Sequence, residues 1–106
     1  MNSEFCQLQI TFGSREEAET CAKTLVERYL VACAQVAGPI TSFYHWKENL
    51  ETASEWLLLA KTRSCVFDEV QEAVLADHSY EVPQIVALPI VDFSPQYLKW
   101  LKEQIR

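Results

Sequence analysis

Glycine and clustered positive charge are scarce in this 106-residue sequence, and each shortage excludes a class of function. The two glycines, Gly13 and Gly38, lie far apart. Walker loops and dinucleotide-binding fingerprints need glycines close together, so neither kind of phosphate-binding loop occurs here. Nine Lys and Arg residues stand against fifteen Asp and Glu residues, a net charge of −6, and the cations are scattered singly. Because nucleic-acid binding draws on clustered cations, we expect no nucleic-acid partner.

The chain also lacks paired cysteine motifs and long apolar runs. Its four cysteines form no CxxC pair, which predicts reduced thiols; they are Cys6, Cys21, Cys33 and Cys65. No apolar run approaches the roughly 18 residues that a membrane-spanning helix needs. The start of the chain, residues 1–4, is polar and acidic rather than basic and then apolar, unlike a secretory signal. These features predict a cytoplasmic protein with no membrane span.

What the sequence does contain is enough apolar material, 49% of the residues, for one domain covering residues 1–106. Residues 5–12 alternate polar and apolar from Gln7 onward, which predicts a half-buried strand. Ser14 and Glu17 then form a capping box at a helix start. Apolar residues behind it recur at helical spacing, which predicts a helix of about four turns; they are Ala18, Cys21, Ala22, Leu25, Val26 and Tyr29. Cys21 lies on this stripe, so we interpret it as a core residue.

The middle of the chain predicts two long strands, over residues 31–46 and 52–62. Gly38 and Pro39 mark a bend or bulge in the first strand, and Lys47, Glu48 and Asn49 form the hairpin turn, with Asn49 in a positive-φ conformation. The second strand is apolar on both faces in its middle, so we expect both faces to be covered.

The last third of the chain predicts a helix, a short strand and a final helix. Ser64 is the expected N-cap of the first of these helices. Residues 85–88 are uniformly apolar, typical of a short buried strand. Ser94 followed by Pro95 indicates the start of the final helix.

The resulting order βαββαβ, with an extra C-terminal helix, predicts an α+β ferredoxin-like fold. The central hairpin is too long for such a sheet, because strands of this length span about 50 Å and four-turn helices cover about half of that. The excess strand carries Phe43, Trp46 and Trp56, which are too apolar to remain in water. We therefore expect the hairpin to pair with or pack on other copies of the chain.

The densest polar cluster beside a core strand is residues 78–83, which contains His78, Tyr80 and Glu81. His78 could be a metal ligand or a proton carrier, or it could close the end of the preceding helix. His45 lies within the hairpin strand and is interpreted as an interface or cross-strand residue rather than a ligand.

Two other positions could take part in chemistry. Cys33 could bind a metal together with His78 and a carboxylate, or it could be a small buried hydrophobic residue. Glu55 and Lys61 share one face of a strand but lie about 20 Å apart, too far to pair within one chain. Since no Ser–His–Asp arrangement is evident and neither histidine has an orienting carboxylate, we do not expect an enzyme.

Several segments together resemble one known family. They are residues 30–33 (LVAC), 44–46 (YHW), Glu55 followed by 59–62 (LAKT), 78–85 (HSYEVPQI) and 97–100 (YLKW). In this order they resemble the CutA family, the divalent-cation tolerance proteins, over essentially the full chain. Two positions differ from the family pattern: Glu48 stands where Gly is common, and Gln84 stands where Glu is usual.

The resemblance implies a ferredoxin-like homotrimer, related in architecture to PII signalling proteins, that binds copper or another divalent cation and needs no organic cofactor. It implies Cys33, Glu55 and His78 as metal ligands, and an inter-subunit pocket formed by Trp46, Lys61, His78 and Tyr80. The sequence leaves two alternatives open. One is a signalling trimer that binds a small anionic ligand through Lys61 and His78; the other is a scaffold whose function is assembly, with a protein partner that the sequence does not identify.

Overall fold

A computed structural model describes residues 3–105 and contains the predicted order of elements. In chain order these are β1 (Phe5–Phe12), α1 (Arg15–Glu27), β2 (Cys33–Trp46), β3 (Asn49–Arg63), α2 (Phe67–Asp77), β4 (Ile85–Pro89) and α3 (Pro95–Gln104). A short 3-10 turn, Ser64–Val66, precedes α2. No helix within residues 3–105 is long and apolar enough to cross a membrane.

The sheet has the strand order β2-β3-β1-β4, and all neighbouring strands are antiparallel. Two crossovers through α1 and α2 produce this order, in which β1 and β3 are central and β2 and β4 are the edges. This is the ferredoxin-like α+β arrangement that the sequence predicts.

One face of the sheet carries the core. Alternate residues of β1 and β3 point toward α1 and α2, as the period of two in a strand requires. Their side chains, with those of the helices, are at most 9% exposed; they include Leu8, Ile10, Phe12, Leu58, Ala60, Ala18, Leu25, Val70 and Val74. Cys21 packs against this cluster as predicted, and burial raises the pKa of its thiol to about 11, with Asp77 and Glu17 adding to the shift.

The other residues of the strands form a second face, here called the open face, which neither α1 nor α2 covers. Leu57 and Leu59 of β3 are only half-buried there, and Val86 and Leu88 of β4 are about 40% exposed, at 39% and 41%. The expectation that both faces of β3 are covered is therefore wrong for a single chain. The apolar side chains in the middle of the open face, Leu57 and Leu59, are therefore not part of the core that one chain builds.

The β2–β3 hairpin extends beyond the helices, as predicted. Phe43 and Leu50 near its tip are 71% and 69% exposed. The predicted bend at Gly38–Pro39 is present as a shift of register between Ala37 and Ile40. The predicted turn is wrong in detail, because Lys47 (φ 50°) and Glu48 (φ 70°) hold the positive φ angles, and Asn49 is the first residue of β3. A two-residue turn with two positive φ angles matches the twist of a hairpin, which explains this placement.

Replacing Glu48 with glycine is expected to raise the free energy of unfolding by about 0.5–1 kcal/mol. The reason is that a residue with a Cβ is strained at a φ of 70°, whereas glycine adopts this conformation freely. Urea denaturation of the two proteins at equal chain concentration measures the change. Glu51→Gly, in the extended part of the same hairpin, is the control and should lower stability, so a loss of stability in both variants would contradict the strain argument.

Helix α2 begins later than the sequence predicts. Ser64 does not cap α2, because its hydroxyl donates to the carbonyl of Ser3 (2.7 Å) and the helix begins only at Phe67. Helix α3 forms a second small core with the beginning of β1. Its buried residues are Phe5, Ala32, Leu101 and Ile105.

Candidate functional site

A pocket of about 660 Å³ lies between the β2–β3 hairpin and the loop of residues 78–84. Its volume is within the range of small-molecule sites. The lining combines aromatic, hydroxyl and carboxylate side chains; these residues are Thr11, Ser42, Phe43, Tyr44, Trp46, Glu55, Ser79, Tyr80, Glu81, Val82 and Gln84.

The most unusual residue in the pocket is Glu55, a carboxylate on β3 that is only 6% exposed. The phenol of Tyr80 donates a hydrogen bond to its Oε2 atom at 2.8 Å. Burial, followed by the hydrogen bond to Glu55, raises the pKa of Tyr80 well above its ordinary value. The phenol therefore keeps its proton and remains a donor to the carboxylate at neutral pH.

Behind Tyr80, the imidazole of His78 holds the loop against β1. Its side chain is 1% exposed, and its ring stacks on Phe12 with centroids 4.5 Å apart. The backbone N–H of Tyr80 donates to Nδ1 (3.0 Å), so Nε2 carries the proton and donates to the carbonyl of Thr11 (2.8 Å). Both ring nitrogens are thus occupied by backbone groups, and His78 acts as a structural clamp in this chain.

Glu17 anchors the same loop from the side of α1. The hydroxyl of Ser14 accepts a hydrogen bond from the N–H of Glu17 (3.2 Å), which confirms half of the predicted capping box. The carboxylate of Glu17 does not reach back to Ser14 as a capping box requires; it accepts hydrogen bonds from the backbone N–H and the hydroxyl of Ser79, both at 2.9 Å. The sequence pattern identified Glu17 as a capping residue only, and no local signal indicated its contact with a loop distant in sequence.

The three ligands implied by the family resemblance do not meet within one chain. Cys33 is opposite Lys61 in the register of β2 and β3, and Glu55 lies six residues from Lys61 along β3, about 20 Å away. His78 is engaged with Thr11 and the backbone of Tyr80. Within residues 3–105 no three His, Cys, Asp or Glu side chains are grouped so that they could hold a metal ion.

Cys33 instead contacts α3. Its sulfur lies 3.4 Å from the phenol oxygen of Tyr97. This hydrogen bond, with burial as the second cause, raises the pKa of Tyr97 to about 12. The thiol is half-buried, which agrees with the interpretation of Cys33 as a small packed residue and still leaves part of it accessible.

The resemblance implies an inter-subunit pocket of Trp46, Lys61, His78 and Tyr80, and a single chain brings only some of these residues together. Trp46 and Tyr80 line the observed pocket, and His78 supports it from behind. Lys61 lies apart, with its Nζ donating to Gln35 at the long distance of 3.4 Å. Glu81, which the sequence places in the polar cluster of residues 78–83, also lines the pocket. The contribution of Tyr44 was not predicted, although its position among the aromatic residues of the hairpin strand was a signal.

Comparison with known proteins agrees with this architecture. The chain is 46% identical over 94 residues to the divalent-cation tolerance protein CutA of Thermus thermophilus, covering 89% of this chain and 91% of the relative. The solved structure of a divalent cation tolerance protein from the same organism has a TM-score of 0.92 at 42% identity, covering 96% of this chain and 99% of that one. The crystal structure of CutA1 from Oryza sativa has a TM-score of 0.94 at 34% identity, covering 98% and 95%.

The family model described as CutA1 divalent ion tolerance protein matches residues 6–104, which include the whole sheet except its first residue, all three helices and the loop of residues 78–84. The match therefore spans every element that builds the pocket. This chain belongs to the CutA1 family of divalent ion tolerance proteins.

Proposed function

We propose that the chain is a cytoplasmic, homotrimeric divalent-cation tolerance protein that binds copper or another divalent cation and catalyses no reaction. The observation that carries this proposal is the family match over residues 6–104. The net charge of −6 is compatible with attraction of cations.

Assembly is supported by apolar surface that one chain leaves uncovered. The open face presents Leu57, Leu59, Val86 and Leu88, and the hairpin tip presents Phe43. Because contiguous exposed apolar surface is typical of interaction sites, the open face and the hairpin are the expected contacts between copies. Both edge strands, β2 and β4, also have free hydrogen-bonding sides within the described sheet.

The chemistry of the donors suits copper, but their placement does not suit a site within one chain. Thiolate and imidazole are ligands that copper and zinc accept. The described residues of one chain form no three-donor group, so a metal site needs donors from more than one chain. Cys33 and Glu55 support this, because both lie on the open face, toward which other copies would pack.

The test is copper binding measured by isothermal titration calorimetry, on the assembled protein, for Cys33→Ser and Glu55→Gln. We expect each variant to bind copper at least about tenfold more weakly, since each removes one of the proposed ligands. Cys65→Ser and Glu72→Gln are matched controls, because both residues are exposed and lie outside the pocket and the open face.

Circular dichroism and native mass spectrometry establish that each variant is folded and assembled. Equal copper affinity in the wild type, Cys33→Ser and Glu55→Gln would reject this metal site. Equal weakening by the two control variants would show that copper binds to thiols and carboxylates without selectivity, which free thiols readily permit.

The alternative is a PII-like signalling trimer that binds a small anionic ligand. The residues that line the pocket of one chain support this alternative less well. Glu55 and Glu81 line the pocket, and no Lys or Arg is among its described lining residues. An anion would therefore depend on Lys61 brought from another subunit.

A further inference from the structure

A groove of about 240 Å³ lies between α1 and α2, on the side of the sheet opposite the open face. Phe12, Leu25 and Val74 are at most 2% exposed and form its apolar base. The other lining residues are Glu16, Glu17, Thr20, Cys21, Thr24, Ala73, Asp77 and His78. Because the open face and the hairpin are the expected contacts between copies, we expect this groove to stay accessible in the assembly.

The rim of the groove carries negative charge. Glu16 and Asp77 are exposed, and neither forms an ion pair with a Lys or Arg within residues 3–105. Glu17, the third carboxylate, accepts hydrogen bonds from Ser79. No Lys or Arg is among the lining residues that the structure describes, and α2 contains four acidic residues and no basic one. A cationic group of a partner can therefore meet two carboxylates that are not already paired.

The base of the groove, in contrast, is uncharged. Burial, with Asp77 and Glu17 adding to the shift, raises the pKa of the Cys21 thiol to about 11, so the thiol keeps its proton at neutral pH. Together with the buried residues of the base, it offers an apolar side chain a surface that is free of charge.

The size of the groove favours a single side chain over a complete small molecule. Small-molecule sites usually enclose about 300–1,000 Å³, more than this groove does. A large apolar side chain of a partner can occupy the groove and exclude water from its base. An amphipathic peptide that places its apolar side chains in a groove is a recurring mode of protein recognition.

We propose that the groove between α1 and α2 docks a basic segment of a partner protein. One large apolar side chain of this segment enters the groove, and neighbouring Lys or Arg side chains lie against Glu16 and Asp77. This docking surface is separate from the open face, and it does not depend on the metal site of the proposed function.

The probe for the test is a peptide in which two lysines stand on each side of a central leucine. Titration calorimetry in buffer containing EDTA should show that this peptide binds the assembled protein. Replacing its leucine with serine should weaken binding by about tenfold or more, because the burial of the leucine is lost. A peptide with glutamates in place of the lysines should not bind. Amide NMR shifts should be confined to residues 12, 16–25 and 73–78.

Two variants separate the charge of the rim from the shape of the groove. Asp77→Asn should weaken binding by about threefold, as expected for an exposed ion pair, whereas Glu72→Gln, on the same helix but outside the groove, should leave it unchanged. Thr24→Phe places a ring over the groove and should weaken binding by about tenfold without changing the net charge. Val26→Phe is its control, because Val26 is 39% exposed on the same helix and does not line the groove.

Circular dichroism establishes that each variant is folded. The proposal is overturned if the leucine peptide does not bind at millimolar concentration, or if the serine peptide or Thr24→Phe binds as tightly as the original pair, since attraction to the acidic surface then explains binding. It is also overturned if lysine amide alone binds as tightly as the peptide, which would make the groove a site for a small cation. Dissociation of the assembly by Thr24→Phe in native mass spectrometry would overturn it too, because the groove would then be a contact between copies.

Discussion

Replacing His78 with alanine is expected to lower the free energy of unfolding by about 3 kcal/mol. The substitution removes a side chain that is 1% exposed and stacked on Phe12. It also leaves the carbonyl of Thr11 and the N–H of Tyr80 without their hydrogen-bond partner. A cavity and two unsatisfied backbone groups together account for a loss of this size.

His45→Ala is the control, because His45 is the second of the two histidines and is exposed on the hairpin. It should change stability by no more than about 0.5 kcal/mol. Urea denaturation at equal chain concentration compares the two variants. Equal stabilities for His78→Ala and the wild type would contradict the clamp role of His78. If the expected loss is observed, weaker copper binding by His78→Ala cannot be assigned to a lost ligand, which is why Cys33 and Glu55 are the positions for the metal test.

Replacing Leu59 with lysine is expected to reduce the proposed trimer to single chains that remain folded. Leu59 lies at the centre of the open face, between Gln9 on β1 and Gln35 on β2. In one chain a lysine there can extend into water, since the position is only half-buried. Between packed copies the same charge is buried without a partner, which costs several kcal/mol per chain.

Native mass spectrometry and sedimentation measure the assembly, and circular dichroism measures the fold. Leu75→Lys is the matched control, because Leu75 is 47% exposed on α2, on the opposite side of the sheet. It should leave the mass unchanged. An unchanged mass for Leu59→Lys would show that copies do not pack through the open face, and a dissociated Leu75→Lys would place the contact on the helices instead.

Local patterns in the sequence were sufficient for the elements of the fold. The alternation from Gln7 onward, the cap at Ser14 and the proline at Pro95 each depend on neighbours within a few residues, and each prediction is confirmed. Predictions at the turns and helix starts that connect these elements were less exact. Asn49 and Ser64 have suitable side chains for a turn and a cap, but strand pairing and a contact with Ser3 determine what these residues do.

The candidate site could be predicted only in part. The family resemblance implied Trp46, Glu55 and Tyr80 as site residues, and the structure brings them together in one pocket. The hydrogen bonds of Glu17 to Ser79 and of Tyr80 to Glu55 join residues separated by 62 and 25 positions, which no local pattern encodes.

The shortage of glycine by itself excluded glycine-rich phosphate loops, because those loops depend on closely spaced glycines. The scattered cations predict, in addition, that nucleic acid is not a partner. The sequence also determined the order of strands and helices, since periodicity and caps are local properties. Only the tertiary structure decided that Cys33 and Glu55 lie far apart on one face, that His78 is a clamp, and that Glu55 is a buried carboxylate held by the phenol of Tyr80. These facts depend on strand register and on contacts between distant segments, which the chain establishes only when it is folded.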